Sequence, residues 1–133
     1  MKSNRSNFSL NEKRILIVDD EPDVNLILKM VLEGNGFQVD TFDTPLLALE
    51  YFRKGLYNLV ILDIKMPKMN GFELYREIRK IDEKIRTCFL TAGETYDPVY
   101  ADISNQLDAN CFIRKPIENQ ELINHINWII DKV

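Results

Sequence analysis

The sequence predicts an α/β fold: a doubly wound, five-stranded parallel sheet with helices on both faces. Three observations carry this. Five short runs, at 14–18, 38–42, 59–63, 86–91 and 111–114, are β-branched or near-continuous in apolar character, which suits strands buried on both faces. The stretches between them are amphipathic with helical spacing. Strands alternating with helices imply parallel β/α units joined by right-handed crossovers.

Each element has its own signal. Ile15, Leu16, Ile17 and Val18 make the first strand. Val24, Ile27, Leu28, Val31 and Leu32 then form one apolar stripe, ended by Gly34 or Gly36. After the second strand, Thr44-Pro45 reads as an N-cap and first helical residue. Pro45, Ala48, Leu49 and Phe52 form its stripe, closed by Gly55. Leu59 to Leu62 make the central strand, and Phe72, Tyr75 and Ile78 give a third helix after Asn70-Gly71. The fourth helix, near 97–107, is anchored only by Val99, Ile103 and Leu107. Leu122, Ile123, Ile126, Ile129 and Ile130 give the fifth. The size fits the flavodoxin-like (βα)5 arrangement with strand order 2-1-3-4-5. Ligands bind there beyond the carboxyl ends of strands 1 and 3, at the switch point.

Bulk properties narrow the function. The length of 133 residues suits one domain with one core. Residues 13–133 are expected to form it, and the polar stretch 1–12 to be a flexible tail. Hydrophobic residues at 45% and charged residues at 29% describe a soluble globular chain, expected in the cytoplasm. The net charge of −4, without a long basic run, argues against direct nucleic-acid binding. No apolar stretch approaches the roughly 20 residues that span a bilayer. Cys88 and Cys111 lie in apolar runs and read as buried thiols. His125 is a helix residue without motif context. Trp128 and Tyr100 read more readily as core or scattered surface residues than as partner anchors.

The chemistry concentrates at strand ends. Asp19 and Asp20 follow strand 1, Asp63 ends strand 3, Thr91 ends strand 4 and Lys115 follows strand 5. A parallel sheet brings these ends to one edge. Three carboxylates crowded there are costly unless a cation and an anionic ligand complete the site. A hard dication such as Mg²⁺ takes oxygen ligands. Asp20 and Asp63 can bind it directly and Asp19 through water, with a backbone carbonyl from the loop after Asp63. Asp63, alone at the end of the central strand, is the natural nucleophile for an aspartyl phosphate. Lys115 supplies a point charge for phosphoryl oxygens, and Thr91 a hydroxyl donor.

The blocks Val18-Asp19-Asp20-Glu21-Pro22, Leu62-Asp63-Ile64-Lys65-Met66-Pro67-Lys68-Met69-Asn70-Gly71, Leu90-Thr91-Ala92 and Lys115-Pro116 resemble the receiver domain of two-component response regulators. The resemblance covers about 13–133. It implies that Asp63 accepts phosphate from a histidine-kinase phosphohistidine, directly or through a phosphotransfer protein. Asp19 and Asp20 would be the Mg²⁺ acids, with the Lys65 carbonyl as a further ligand. Thr91 and Lys115 would sense the phosphoryl group, and Phe112 would swing inward on activation. The Lys115-Pro116 bond is expected to be cis. The signalling face would be the fourth helix, fifth strand and fifth helix, meeting a downstream protein or a second copy in a phosphorylation-dependent homodimer. Such a domain catalyses its own phosphorylation and hydrolysis but is a switch rather than a turnover enzyme. Lys65 and Gly93, at the mouth of the pocket, would tune phosphoryl lifetime. One departure is Asp108, at a turn where the family often has glycine; Asp enters the left-handed region at modest cost.

Three rivals are weaker. A haloacid-dehalogenase-type phosphohydrolase needs Asp-x-Asp after a strand, and Asp63-Ile64-Lys65 lacks the second acid. An FMN-binding flavodoxin wants a small polar phosphate loop where Asp19-Asp20-Glu21 stands. A phosphorylation-independent interaction module has no need of the intact acid set.

Overall fold

A computed structural model describes residues 13–92, 102, 105 and 112–131. The elements in chain order are β1 (Lys13–Val18), α1 (Pro22–Glu33), β2 (Phe37–Phe42), α2 (Pro45–Tyr51), β3 (Leu59–Asp63), α3 (Gly71–Ile81), β4 (Thr87–Thr91), β5 (Phe112–Arg114) and α4 (Asn119–Asp131). All five strands are parallel and stand in the order β2-β1-β3-β4-β5, as the sequence predicts. Strand bounds differ from the expected ones by at most one residue. The helix expected near 97–107 lies outside the described residues except for Asp102 and Asn105, so α4 is the fifth helix of the expectation. Tyr100, Gly93, Asp108, Cys111 and the stretch 1–12 also lie outside them.

The alternation of side chains along each strand divides the core in two. On one face Leu16, Val18, Val60, Leu62 and Phe89 pack with Ala48, Phe52, Phe72, Leu74 and Ile78 from α2, α3 and the segment between α2 and β3. On the other, Ile15, Ile17, Leu59, Ile61, Cys88, Leu90 and Ile113 pack with Leu28 and Leu32 of α1 and with Leu122, Ile126 and Ile130 of α4. Apolar faces on both sides explain why β1, β3 and β4 have no polar alternation. Helix α3 is fixed at its start by a reciprocal capping box between Asn70 and Glu73. Helix α4 is tied to the sheet by Arg86, which donates to the carbonyls of Ile129 (2.6 Å) and Ile130 (3.0 Å). Those carbonyls carry the partial negative charge of the helix end.

Two local expectations change. Ile27 does not face the core: it is 57% exposed, and Asn25 is buried in its place beside Leu28 and Leu32. Helix α2 stops at Tyr51 rather than running toward Gly55. Phe52 turns extended (φ −67°, ψ 137°) and still buries its ring, stacked on Tyr57 at 5.8 Å. Gly55 instead takes φ +80° in the loop that follows, a conformation open to glycine.

Candidate functional site

Strand β1 lies between β2 and β3, so its carboxyl end opens into the crevice at the switch point. Asp19 stands there, fully buried, its N–H extending the ladder to the Phe42 carbonyl (3.2 Å). Its Oδ1 accepts from the Glu21 N–H (2.9 Å), which turns the chain into α1. Asp20 follows and keeps contact with solvent. Asp63, the last residue of β3, is 4% exposed. Oxygens of Asp19, Asp20 and Asp63 lie within 4.8 Å of one another.

Lys115 enters from beyond β5. Its N–H bonds the Thr91 carbonyl (2.8 Å), which fixes the lysine against the end of β4. Its Nζ reaches Asp19 Oδ2 at 2.9 Å, Asp63 Oδ1 at 3.2 Å and Glu21 Oε1 at 3.5 Å. The Lys115-Pro116 peptide is cis. Thr91 is buried at the end of β4, and Lys65 is exposed in the loop two residues past Asp63. Phe112 opens β5 and stacks on Phe89 at 5.4 Å, part of an aromatic group with Phe72 and Tyr75.

One ammonium does not balance this set of acids. Burial pushes the Asp63 carboxyl up to about 7, the Asp19 charge adds to it, and the Lys115 charge only partly opposes it. Burial works to lower the Lys115 pKa, but bonding and attraction to Asp19 and Asp63 outweigh it and hold the lysine above its ordinary value. Asp19 Oδ2 is buried and pairs with the ammonium at 2.9 Å, its one cationic partner among the described residues. An all-oxygen donor set with surplus negative charge fits a hard dication.

This crowding has a testable sign. The folded-state pKa of Asp63 lies above its unfolded value, so folding favours the protonated acid. Its stabilising contribution is present at low pH and is lost as pH rises through about 7. Thermal unfolding without metal should therefore show Asp63→Asn gaining on wild type between about pH 5 and pH 8. Saturating Mg²⁺ should close the gap. A constant difference across that range would contradict the crowding.

Two contributors carry no motif signal of their own. Glu21 reaches Lys115, although the block Val18-Asp19-Asp20-Glu21-Pro22 assigns it no role. Asn25, inside a helix, bonds the backbone of Asp19. Its one sequence signal is its place three residues before Leu28 on the buried stripe.

The family model of the response regulator receiver domain matches residues 15–127. The sporulation initiation phosphotransferase F of Bacillus subtilis is 35% identical over 113 residues, covering 85% of this chain and 89% of that protein. The transcriptional regulatory protein CpxR homolog of Haemophilus influenzae is 38% identical over 118 residues, 88% of this chain and 50% of that protein. The chain thus spans about half the length of several curated relatives it matches. Among solved structures, the non-phosphorylated HemR receiver domain of Leptospira biflexa superposes with a TM-score of 0.80 at 30% identity, covering 91% of this chain and 96% of that one.

Proposed function

The chain belongs to the response regulator receiver family of two-component systems, and from that premise we propose that Asp63 is its phospho-acceptor. The observation that carries this is the position of the Asp63 carboxylate. It ends the central strand beside two further acids, with the Lys115 ammonium 3.2 Å from its Oδ1.

In the proposed step an Asp63 carboxylate oxygen attacks the phosphorus of a histidine-kinase or phosphotransfer-protein phosphohistidine. An O–P bond forms, the P–N bond breaks, and the departing imidazole takes up a proton. Asp20 and Asp63 would hold Mg²⁺ directly and Asp19 through water, with the Lys65 carbonyl completing the protein's share. The chemistry such an ion would supply is neutralisation of phosphoryl charge during transfer. Lys115 offers a second positive charge, and Thr91 donates its hydroxyl to the new phosphoryl group. Phe112 then repacks, and the face of the fourth helix, β5 and α4 gains affinity for a downstream protein or a second copy. Such a switch is a population shift, bounded by differential affinity for the two states. The same groups admit water for hydrolysis, so the domain resets itself.

We further propose that residues 13–133 form the receiver domain, with 1–12 as a tail, acting in the cytoplasm without direct contact to nucleic acid. No helix among the described residues is long and apolar enough to cross a membrane. Acetyl phosphate tests the function. With Mg²⁺ the intact mass should rise by one phosphoryl group. With a chelator, or in Asp63→Asn, it should not. An adduct on Asp63→Asn would refute the assignment.

A further inference from the structure

Asn25 is 5% exposed on α1, a position where an apolar residue would be ordinary. Its side chain points back toward the helix start, as side chains on helices do. There its Nδ2 donates twice, to the Asp19 carbonyl at 2.8 Å and to the Phe42 carbonyl at 3.2 Å. The Phe42 carbonyl also accepts the Asp19 N–H. One amide thus fastens the ends of β1 and β2 to the first turn of α1. Glu21, the N-cap of that helix, makes no side-chain capping bond.

The connection held this way contains Asp19, Asp20 and Glu21. Asp19 Oδ1 braces it from one side by accepting the Glu21 N–H, and Asn25 braces it from the other. Asp19 is therefore held by its N–H, its carbonyl and one carboxylate oxygen. Only Oδ2 remains to face Lys115 and a cation. Asn25 achieves this at a cost, because its own Oδ1 is buried without a hydrogen-bond partner among the described residues. An apolar residue of similar volume would avoid that cost but would leave the buried Asp19 carbonyl without the amide donor, so the amide is no clear net gain in stability, and what it does set is the place of Asp19.

We infer that Asn25 is a positioning residue for the cation site, setting Asp19 and Asp20 through the backbone of the β1–α1 connection. The inference rests on the proposed binding of Mg²⁺ by these acids. Groups that orient metal ligands from behind typically change affinity by about 10- to 100-fold when removed.

The test measures Mg²⁺ binding by calorimetry, together with the melting temperature without and with Mg²⁺, for wild type and Asn25→Leu. The variant should fold but melt somewhat below wild type without metal, because the Asp19 carbonyl loses its donor, bind Mg²⁺ at least about tenfold more weakly, and show a smaller Mg²⁺-induced shift. If Asn25→Leu does not fold, Asn25→Ala is read in the same way. An unchanged Mg²⁺ Kd would overturn the inference and leave Asn25 as a packing residue, whatever the melting temperature. Wild type that binds no Mg²⁺ would overturn the metal reading itself, and the inference with it.

Discussion

Gly71→Ala should destabilise the protein by about 3 kcal/mol or more and cost most of its phosphoryl acceptance. A Cβ on Gly71 would meet the Asp63 carbonyl oxygen closer than any real Cβ contact, with the Asp63 carbonyl carbon and Ile64 Cα at 3.0 Å. All three are backbone atoms, so no side chain can rotate away. The Gly71 N–H also bonds the Ile64 carbonyl at 2.8 Å, which seats the start of α3 on the end of β3. Relief requires moving either the helix or Asp63 itself. Denaturant unfolding and acetyl-phosphate labelling should therefore fail together. Wild-type values for both would mean that the helix start does not sit against Asp63. Gly71 is a glycine for closeness of approach, whereas Gly36 and Gly55 take positive φ.

Lys115→Met should be the next most damaging change, and its cost should depend on pH and metal. The lysine side chain is 19% exposed and neutralises carboxylates that are nearly inaccessible. Removing one partner of a buried ion pair strands the others, at a cost of about 3 kcal/mol. That is a fall of roughly 10 °C in melting temperature for a domain of this size. Asp63 can limit the loss by taking up a proton, because burial and Asp19 already hold its pKa near 7. The deficit should thus be larger at about pH 8 than at about pH 6, and Mg²⁺ should recover much of it. A deficit indifferent to both would mean that Lys115 matters only through packing.

Much of this was legible in the sequence because the sheet is central and its strands are apolar on both faces. An apolar run that stops at an acid, as Leu62 stops at Asp63, marks both a strand end and a charged group held near the core. Parallel topology then brings Asp19, Asp63, Thr91 and Lys115 to one edge, as found. The less legible details depend on where groups meet in space. A helical stripe read from spacing is uncertain by one position, about 100° of rotation. That uncertainty decided whether Ile27 or Asn25 faced inward. Asn25 went inside because the carbonyls at the ends of β1 and β2 supply its amide with acceptors, a pairing between residues 6 and 17 positions apart. Glu21 reaches Lys115 across 94 positions, which no local pattern encodes. The early end of α2 reflects Phe52, whose ring gains more from the core beneath Tyr57 than from another helical turn.

The resting site is short of positive charge. Lys115 holds two buried acids and touches Glu21, yet Asp63 remains hard to ionise. On the proposed function, Mg²⁺ held by these acids would supply the missing charge, and the Asp63 carboxylate would then be available as a nucleophile near neutral pH. A phosphoryl group on Asp63 would then give Lys115 and Thr91 a new anion to meet.

The most direct measurement locates the phosphoryl group chemically. Protein treated with acetyl phosphate and Mg²⁺ is reduced with borohydride, which converts an aspartyl phosphate to homoserine, and its peptides are mapped by mass. Homoserine is expected at position 63 alone. Homoserine at 19 or 20, or a phosphoryl group on a side chain elsewhere with Asp63 intact, would contradict it.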